Sequence, residues 1–130
     1  MLARDPNFWL TVYNMGYQNY VQGNYEKAEN YLVHAAEIYP LDGDTFYWLG
    51  LAEMKMGRLD HAEEALSRAL VNEPRAIGYR YAMGMVLKQE GKLAPAVEMF
   101  KGELLKNPSD DKSRQQLAET EAMLKTVTSR

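Results

Sequence analysis

The fold is decided by the stretch from Phe46 to Pro74, FYWLGLAEMKMGRLDHAEEALSRALVNEP, in which two helical patterns flank a glycine. Within each pattern the apolar residues return every three or four positions, which is the spacing of one face of an amphipathic helix. They are Leu49, Ala52 and Met56 before the glycine, and Ala62, Ala65, Leu66, Ala69 and Leu70 after it. Gly57 predicts a left-handed turn between two helices, and Pro74 predicts the end of the second one.

The same pattern recurs along the chain with a period of 34 residues. A fixed period of this size indicates an array of helical repeats. The recurring sets are Pro6, Pro40, Pro74 and Pro108; Gly16, Gly50 and Gly84; Gly23, Gly57 and Gly91; Ala28, Ala62 and Ala96; and Leu32, Leu66 and Phe100. The set that begins with Gly16 falls inside predicted helices, where glycine is unfavourable. We therefore expect these glycines to permit close approach of a partner helix.

The pattern predicts an all-α chain of about seven helices arranged as antiparallel pairs. The predicted helices span residues 6–21, 24–38, 43–56, 58–71, 75–89, 92–106 and 109–126. If the chain opens with a native N-terminal turn, Asp5 is the N-cap of the first helix and Pro6 its first residue. The seventh helix has no glycine turn after it, which is typical of the terminal cap of a repeat array.

Composition narrows the classes of partner. The 130 residues carry 18 acidic and 15 basic side chains interspersed along the chain, for a net charge of −3. The sequence has no basic stripe, no signal-like leader and no membrane-length apolar run. We expect a soluble chain with no nucleic-acid partner and no membrane insertion. The absence of cysteine leaves the compartment open, and we favour the cytoplasm.

Residues that could carry chemistry are few. His34 and His61 fall on different predicted helices, without carboxylates or cysteines at metal-ligand spacing. Asp42 and Asp44 flank Gly43 and resemble a fragment of a calcium loop, but the remaining ligands are missing. We interpret this segment as a turn that caps a helix. The sequence predicts no catalytic residue, no metal, no cofactor and no enzymatic activity.

In its period and in the identity of its recurring residues, the chain resembles the tetratricopeptide repeat family. The middle repeat carries the resemblance most clearly, in Phe46, Leu49, Gly50, Gly57, Ala62, Leu66, Ala69 and Pro74. The family's tyrosine late in the first helix is replaced, at Asn19, Glu53 and Leu87. The family has a small residue late in the second helix, and in the third repeat Glu103 takes its place. We therefore expect looser packing of that helix pair.

The resemblance implies a right-handed α-solenoid with repeats at residues 9–42, 43–76 and 77–108, followed by a capping helix at 109–130. Residues 1–8 hold the start of the first helix. They also align with the last turn of a second helix, which suggests the tail of a preceding repeat in a longer protein. The alternative is a native N-terminal turn.

In this family the first helix of each repeat lines a concave groove, and the resemblance places a set of aromatic, apolar and polar residues there. The implied groove residues are Tyr13, Asn14, Tyr17, Tyr20, Tyr47, Trp48, Leu51, Met54, Tyr81, Met85 and Lys88, with Asn14 and Trp48 expected at its edge. Tyrosine offers apolar area with a polar tip, and methionine adapts to varied partners, so both types favour an interface.

These features predict a non-enzymatic protein–protein interaction module that binds a peptide or helix of a partner protein. One alternative is a chaperone similar to the three-repeat chaperones of type III secretion. Another is a scaffold that self-associates, so a homo-oligomer stays open. Family members that bind chaperone tails hold a C-terminal carboxylate with basic and amide side chains. The corresponding positions here are Tyr13, Tyr17, Trp48, Gly78 and Ala82, so we expect no such ligand.

Overall fold

The computed structural model describes residues 5–129, which form seven α helices and no strand. The helices are α1 Phe8–Val21, α2 Tyr25–Ile38, α3 Gly43–Lys55, α4 Leu59–Asn72, α5 Tyr79–Gln89, α6 Leu93–Lys106 and α7 Asp111–Thr128. The all-α fold class predicted from the periodicity is confirmed. Six of the seven helices begin within two residues of the predicted position, and the exception is α5.

The chain forms two compact units, the first ending at Pro74 and the second beginning at Arg75. In the first unit α1 packs on α2, α2 on α3, and α3 on α4. In the second unit α5 packs on α6, and α6 on α7. The core of each unit lies between its paired helices, with Leu32 and Leu66 fully buried in the first and Val86 and Phe100 in the second.

The glycines inside the first helices allow the close approach that the sequence predicted. A Cβ atom added to Gly16 would lie 2.7 Å from Cγ of Leu32, and one added to Gly50 would lie 2.7 Å from Cγ of Leu66. At Gly84 the added atom would lie 2.6 Å from Cε1 of Phe100. A side chain at these positions would force its neighbour to shift, because real Cβ atoms keep a larger distance from their neighbours.

The glycine turns between paired helices take the predicted left-handed conformation. Gly57 has a φ of 77° and its equivalents Gly23 and Gly91 have 83° and 80°. The N–H of Gly57 donates to the carbonyl of Met54 at 3.0 Å, and the N–H of Arg58 donates to the carbonyl of Glu53 at 2.9 Å. These bonds satisfy carbonyls at the end of α3, as in other glycine-terminated helices.

The segment Asp42–Asp44 is a helix cap, as its interpretation from sequence required. One carboxylate oxygen of Asp42 accepts from the backbone N–H of Thr45 at 2.9 Å and from its hydroxyl at 2.8 Å. Asp110, two periods further on, holds the equivalent position and accepts from the hydroxyl of Ser113 at 2.5 Å, without a bond from a backbone N–H of α7. Both carboxylates stand at the positive ends of helices, α3 and α7, where negative charge is stabilising.

The predicted start of α5 at residue 75 is wrong, because the helix begins at Tyr79. Position 76, which corresponds to Asp42, is Ala76, so no local side chain can cap a helix there. Gly78 precedes α5 in the left-handed conformation, with a φ of 98°. The carboxylate of Glu103 on α6 instead accepts from the backbone N–H groups of Gly78 at 2.9 Å and Tyr81 at 3.3 Å.

Glu103, the residue from which we expect looser packing of the α5–α6 pair, has a structural role in that pair. Its side chain is fully buried and its carboxylate holds the start of the neighbouring helix. The charged residue in place of a small one therefore acts as the N-terminal acceptor that the local sequence of α5 lacks.

The first helix also begins later than predicted, at Phe8, with Asn7 as its N-cap. Asp5 does not cap the helix at Pro6; its Oδ1 accepts from the N–H of Asn7 at 2.9 Å in the turn that precedes α1. The predicted tail of a preceding repeat at residues 1–8 falls partly on residues 1–4, which lie outside the described range.

Candidate partner-binding surface

Helix α1 carries no charged residue, and its buried residues are Val12 and Gly16. Its tyrosines stand at positions 13, 17 and 20, a spacing that places all three on one side of the helix. In α3 the neighbouring positions 47 and 48 hold tyrosine and tryptophan, one turn before Leu51. The local sequence therefore supplies an aromatic stripe on each of the two first helices of the first unit.

These stripes meet around Trp48. Its ring lies 4.9 Å from that of Tyr17 and 5.0 Å from that of Tyr47, measured between centroids, with interplanar angles of 69° and 72°. The ring of Tyr20 lies 5.2 Å away at 56°. Edge-to-face arrangements at this distance are favourable aromatic contacts. We refer to these four residues, together with Tyr13, as the aromatic cluster.

The sequence predicts Trp48 at the edge of the groove, and within the aromatic cluster it is the central member. Three tyrosine rings surround the indole, so Trp48 stands at the centre of the aromatic cluster. Asn14, the other residue expected at the edge, is exposed. The 34-residue period does not predict which residues contact Trp48. It aligns equivalent positions of the repeats but does not give the size of the side chains that face them.

The aromatic cluster lies at the surface. Tyr17 is 38% exposed, and the other four members are half-buried. A core residue of this chain is far less accessible: Leu32 and Leu66, which lie between the paired helices, have no exposed surface. The cluster therefore has solvent-accessible ring area that is not used in the described fold.

Two acidic side chains, Asp44 and Asp42, lie near Tyr13. Burial raises the pKa of its hydroxyl to about 12, and the carboxylates of Asp44 and Asp42 contribute to the rise. A hydrogen bond with Trp48 acts in the opposite direction on the same pKa. Burial also raises the pKa of Tyr20, with a smaller contribution from Tyr25. Tyr13 and Tyr20 therefore keep their hydroxyls protonated at neutral pH, and the cluster has carboxylates near Tyr13.

The remaining predicted groove residues of the first unit are Leu51 and Met54. Both are half-buried on α3 and follow Trp48 along the helix. They extend the accessible apolar area beyond the aromatic cluster towards the end of α3.

In the second unit the predicted groove residues are Tyr81, Met85 and Lys88, all of them half-buried on α5. The ring of Tyr81 lies 5.9 Å from that of Phe100, and burial, followed by Asp110 and Glu119, raises the pKa of its hydroxyl. Lys88 donates to Oε1 of Gln116 at 2.7 Å and to Oε2 of Glu119 at 3.0 Å, both on α7. Its charge is therefore already balanced within the unit.

Three residues of interest were missed by sequence reasoning. Trp9 stacks on Tyr39 with centroids 4.9 Å apart, and Tyr25 lies 5.4 Å from Tyr20. The signal for Tyr25 was available, because Tyr25 opens α2 two residues after Gly23 and so lies close in the chain to the end of α1. Trp9 and Tyr39 are 30 residues apart in sequence and no local pattern links them.

A buried acidic pair joins α2 and α3 in the first unit. Glu53 is 5% exposed, and burial raises its pKa to about 8, with a hydrogen bond to Glu29 and the charge of Glu29 adding to the rise. Arg58 pairs with Glu29 at 2.5 Å and lowers the pKa of Glu53 in part. Oε1 of Glu53 has no hydrogen-bond partner among the described residues.

The histidines lie apart from this surface and are exposed. His34 meets the edge of the Phe8 ring at 6.5 Å and approaches Glu37 at 3.7 Å. Within residues 5–129 no three histidine, aspartate or glutamate side chains are grouped so that they could hold a metal ion. None of the described helices has the combination of length and apolar character needed to cross a membrane.

Residues 21–85 match a family model described as tetratricopeptide repeat. This is half of the chain, and the chain belongs to the tetratricopeptide repeat family. The sequence has no significant match among curated proteins.

Solved structures of the same fold are numerous. The first tetratricopeptide domain of human RPAP3 is 16% identical, with 93% of this chain and 95% of that chain covered and a TM-score of 0.88. The corresponding domain of Spaghetti (RPAP3), bound to the HSP90 peptide SRMEEVD, is also 16% identical, with 89% and 92% covered and a TM-score of 0.87. The Yersinia enterocolitica type III secretion chaperone SycD, in complex with a peptide of the translocator YopD, is 20% identical. The match covers 91% of this chain and 90% of the SycD chain, with a TM-score of 0.75.

Proposed function

We propose that this chain is a non-enzymatic module that binds a peptide or helix of a partner protein, mainly through the aromatic cluster. The observation that carries the proposal is the accessible ring area of Tyr17, Tyr20, Tyr47 and Trp48 on two first helices. Aromatic side chains that are preorganised by mutual contact lose little conformational freedom on binding. They are also the types most enriched at binding hot spots.

Family membership supports the same function. Tetratricopeptide domains are generally non-enzymatic interaction scaffolds. Among the structural neighbours, one holds an HSP90 peptide, one an HSP70 peptide and one a YopD peptide. We infer that Leu51 and Met54 in the first unit, and Tyr81 and Met85 in the second, add apolar contacts to the partner. Asn14 offers an exposed amide for a partner backbone.

The proposal is tested by selecting binding peptides with the immobilised full chain from a displayed random library, and then measuring their affinity for variants. The double variant Tyr17→Ala, Tyr47→Ala removes two rings from contact with Trp48. We expect its affinity to fall by about a hundredfold or more, since each hot-spot tyrosine contributes about 2 kcal/mol. Its helical circular dichroism should be unchanged.

Tyr39→Ala is the matched control, because Tyr39 is 39% exposed, close to the 38% of Tyr17, and stacks on Trp9 outside the aromatic cluster. Its affinity should stay within about twofold of the parent chain. Equal losses in the control and the double variant would contradict the proposal, as would a double variant that binds normally. Light scattering on the parent chain checks the competing scaffold function, which requires self-association.

A further inference from the structure

The charge of the chain is divided unevenly between its two units. Residues 1–74 contain 11 acidic and 5 basic side chains, a net charge of −6, whereas residues 75–130 contain 7 acidic and 10 basic ones, a net charge of +3. The aromatic cluster belongs to the acidic part. A partner segment that approaches it therefore meets a negative potential.

The helices that carry the cluster have almost no positive charge of their own. Helix α1 has no charged residue, and the only basic residue of α3 is Lys55 at its last position. Asp44 is exposed one turn before Trp48, on the same side of α3, and Asp42 lies next to it at the cap. The two carboxylates are near enough to the Tyr13 hydroxyl to act on its ionisation.

The shape of the cluster also suits a cation. The rings of Tyr17 and Tyr47 stand at 69° and 72° to the indole of Trp48, so neighbouring aromatic walls meet at steep angles. The face of an aromatic ring is negative, and indole provides the strongest attraction for a cation of the natural side chains. The rings pack against one another, so a cation would lie on ring area that stays accessible, of which Tyr17, 38% exposed, has the largest fraction.

We infer that the aromatic cluster accepts a lysine or arginine side chain of the partner segment, with Asp44 supplying the opposite charge. This inference rests on the proposed function, and it narrows the partner to a segment that combines apolar residues with a basic one. An acidic segment would face Asp42 and Asp44 without a compensating basic group on α1. Such like-charge opposition excludes partners as effectively as attraction selects them.

The test uses three synthetic 12-residue peptides that share their apolar residues and differ at three positions, which hold arginine, its neutral isostere citrulline, or glutamate. Affinity for the full chain is measured by fluorescence anisotropy. The arginine peptide should bind about tenfold more tightly than the citrulline peptide, which is the range of a partly desolvated cation–π contact. The glutamate peptide should bind more weakly than both.

The location of binding is followed by the indole N–H resonance of Trp48 in a two-dimensional NMR spectrum. The indole resonance of Trp9 is the comparison, because Trp9 stacks on Tyr39 and touches the cluster only through Tyr13, with centroids 6.1 Å apart. On addition of the arginine peptide the Trp48 resonance should shift more than that of Trp9.

Asp44→Asn supplies the decisive variant, since it removes the charge and keeps the shape. It should weaken the arginine peptide about threefold and leave the citrulline peptide unchanged. Asp60→Asn is the matched control, because Asp60 is also exposed and stands in the first turn of a helix, α4, away from the cluster. It should change neither affinity.

Equal affinities for the arginine and citrulline peptides, with a shift of Trp48 in both cases, would overturn the cation site and leave the proposed binding function intact. A Trp48 resonance unmoved by all three peptides would also overturn it, and the library selection would then decide the proposed function separately. Equal effects of Asp44→Asn and Asp60→Asn would show that any preference for arginine reflects the net charge of the chain and not this site.

Discussion

Helices α3 and α5 stand at equivalent positions of the 34-residue period, yet their N-termini are held in different ways. In α3 the acceptor is local, because Asp42 bonds the N–H and hydroxyl of Thr45. In α5 the acceptor is Glu103, which comes from the neighbouring helix α6. The comparison teaches that a repeat can lose its local cap when its paired helix supplies a carboxylate at the same place.

The two units also differ in how their predicted groove residues are engaged. In the first, Tyr17, Tyr47 and Trp48 contact one another and keep accessible surface. In the second, Lys88 is bound by Gln116 and Glu119 of α7. The sequence predicts that the charge of Lys88 faces a partner, but Lys88 is bound inside its own unit. The first unit is therefore the stronger candidate surface.

Removing the borrowed acceptor should have the largest effect. Alanine occupies the equivalent positions 35 and 69, so Glu103→Ala fits the helix pair sterically. It leaves the N–H groups of Gly78 and Tyr81 without their acceptor in a partly buried site. We expect a loss of about 3 kcal/mol in unfolding free energy, measured by urea denaturation. The local-cap counterpart, Asp42→Ala, should lose about 1 kcal/mol. Equal losses would show that the two caps do not differ in energetic weight.

The column that holds Asn19, Glu53 and Leu87 offers a second comparison, since only Glu53 can titrate. Its pKa is raised from an ordinary value of 4.5 to about 8, so the folded state keeps a proton that the unfolded chain releases between these values. The contribution of this bound proton to the unfolding free energy is therefore fully present below about pH 4.5 and is lost as the pH rises to about 8.

Glu53→Gln keeps a group that can donate to Glu29 and removes the titration. The unfolding free energy of the variant, relative to that of the parent chain, should rise by about 2 kcal/mol between pH 5 and pH 8. The charge of Arg58 favours the ionised form and is already included in the pKa of about 8 for Glu53. Urea titrations of both chains at several pH values provide the measurement, with the exposed Glu73→Gln as the control. A constant difference between variant and parent would refute the raised pKa.

The smallest expected effect is a difference between two alanine variants, one at the glycine contact of the α3–α4 pair and one at that of the α5–α6 pair. Gly50→Ala would bring its new methyl group against the side chain of Leu66, whereas Gly84→Ala would meet three atoms of the Phe100 ring, all within 2.9 Å. A flat ring held between helices can yield less than a leucine. We expect Gly84→Ala to be less stable than Gly50→Ala by about 1 kcal/mol in urea denaturation, after the common gain in helix propensity. The reverse order would indicate that Phe100 has room to rotate.

The sequence was sufficient for every part of the fold that repeats. The period, the helix pairs, the glycine turns and the close glycine contacts all follow from columns in which the same residue type recurs. The departures from those columns were harder. Glu103 and Glu53 both looked like imperfect matches, and their partners, the start of α5 and Glu29, are fixed by packing between helices that no local spacing encodes.

The candidate site shows the same limit. Its members could be placed on the first helices from the register alone. Which of them share contacts depends on side-chain volume across the helix pair, so the central position of Trp48 and the pairing of Lys88 with α7 required coordinates. The charge difference between the two parts of the chain was present in the sequence, but its boundary at Pro74 became meaningful only with the two compact units.

The positions of the two tryptophans allow intrinsic fluorescence to report on the unfolding of one unit. Trp9 and Trp48 are the only tryptophans of the chain, and both belong to the first unit. Tryptophan emission therefore follows the unfolding of that unit alone, whereas far-ultraviolet circular dichroism follows all seven helices. Coincident transitions in the two signals indicate one cooperative event, and separated transitions indicate that the units melt in sequence. No label or added chromophore is needed to tell these outcomes apart.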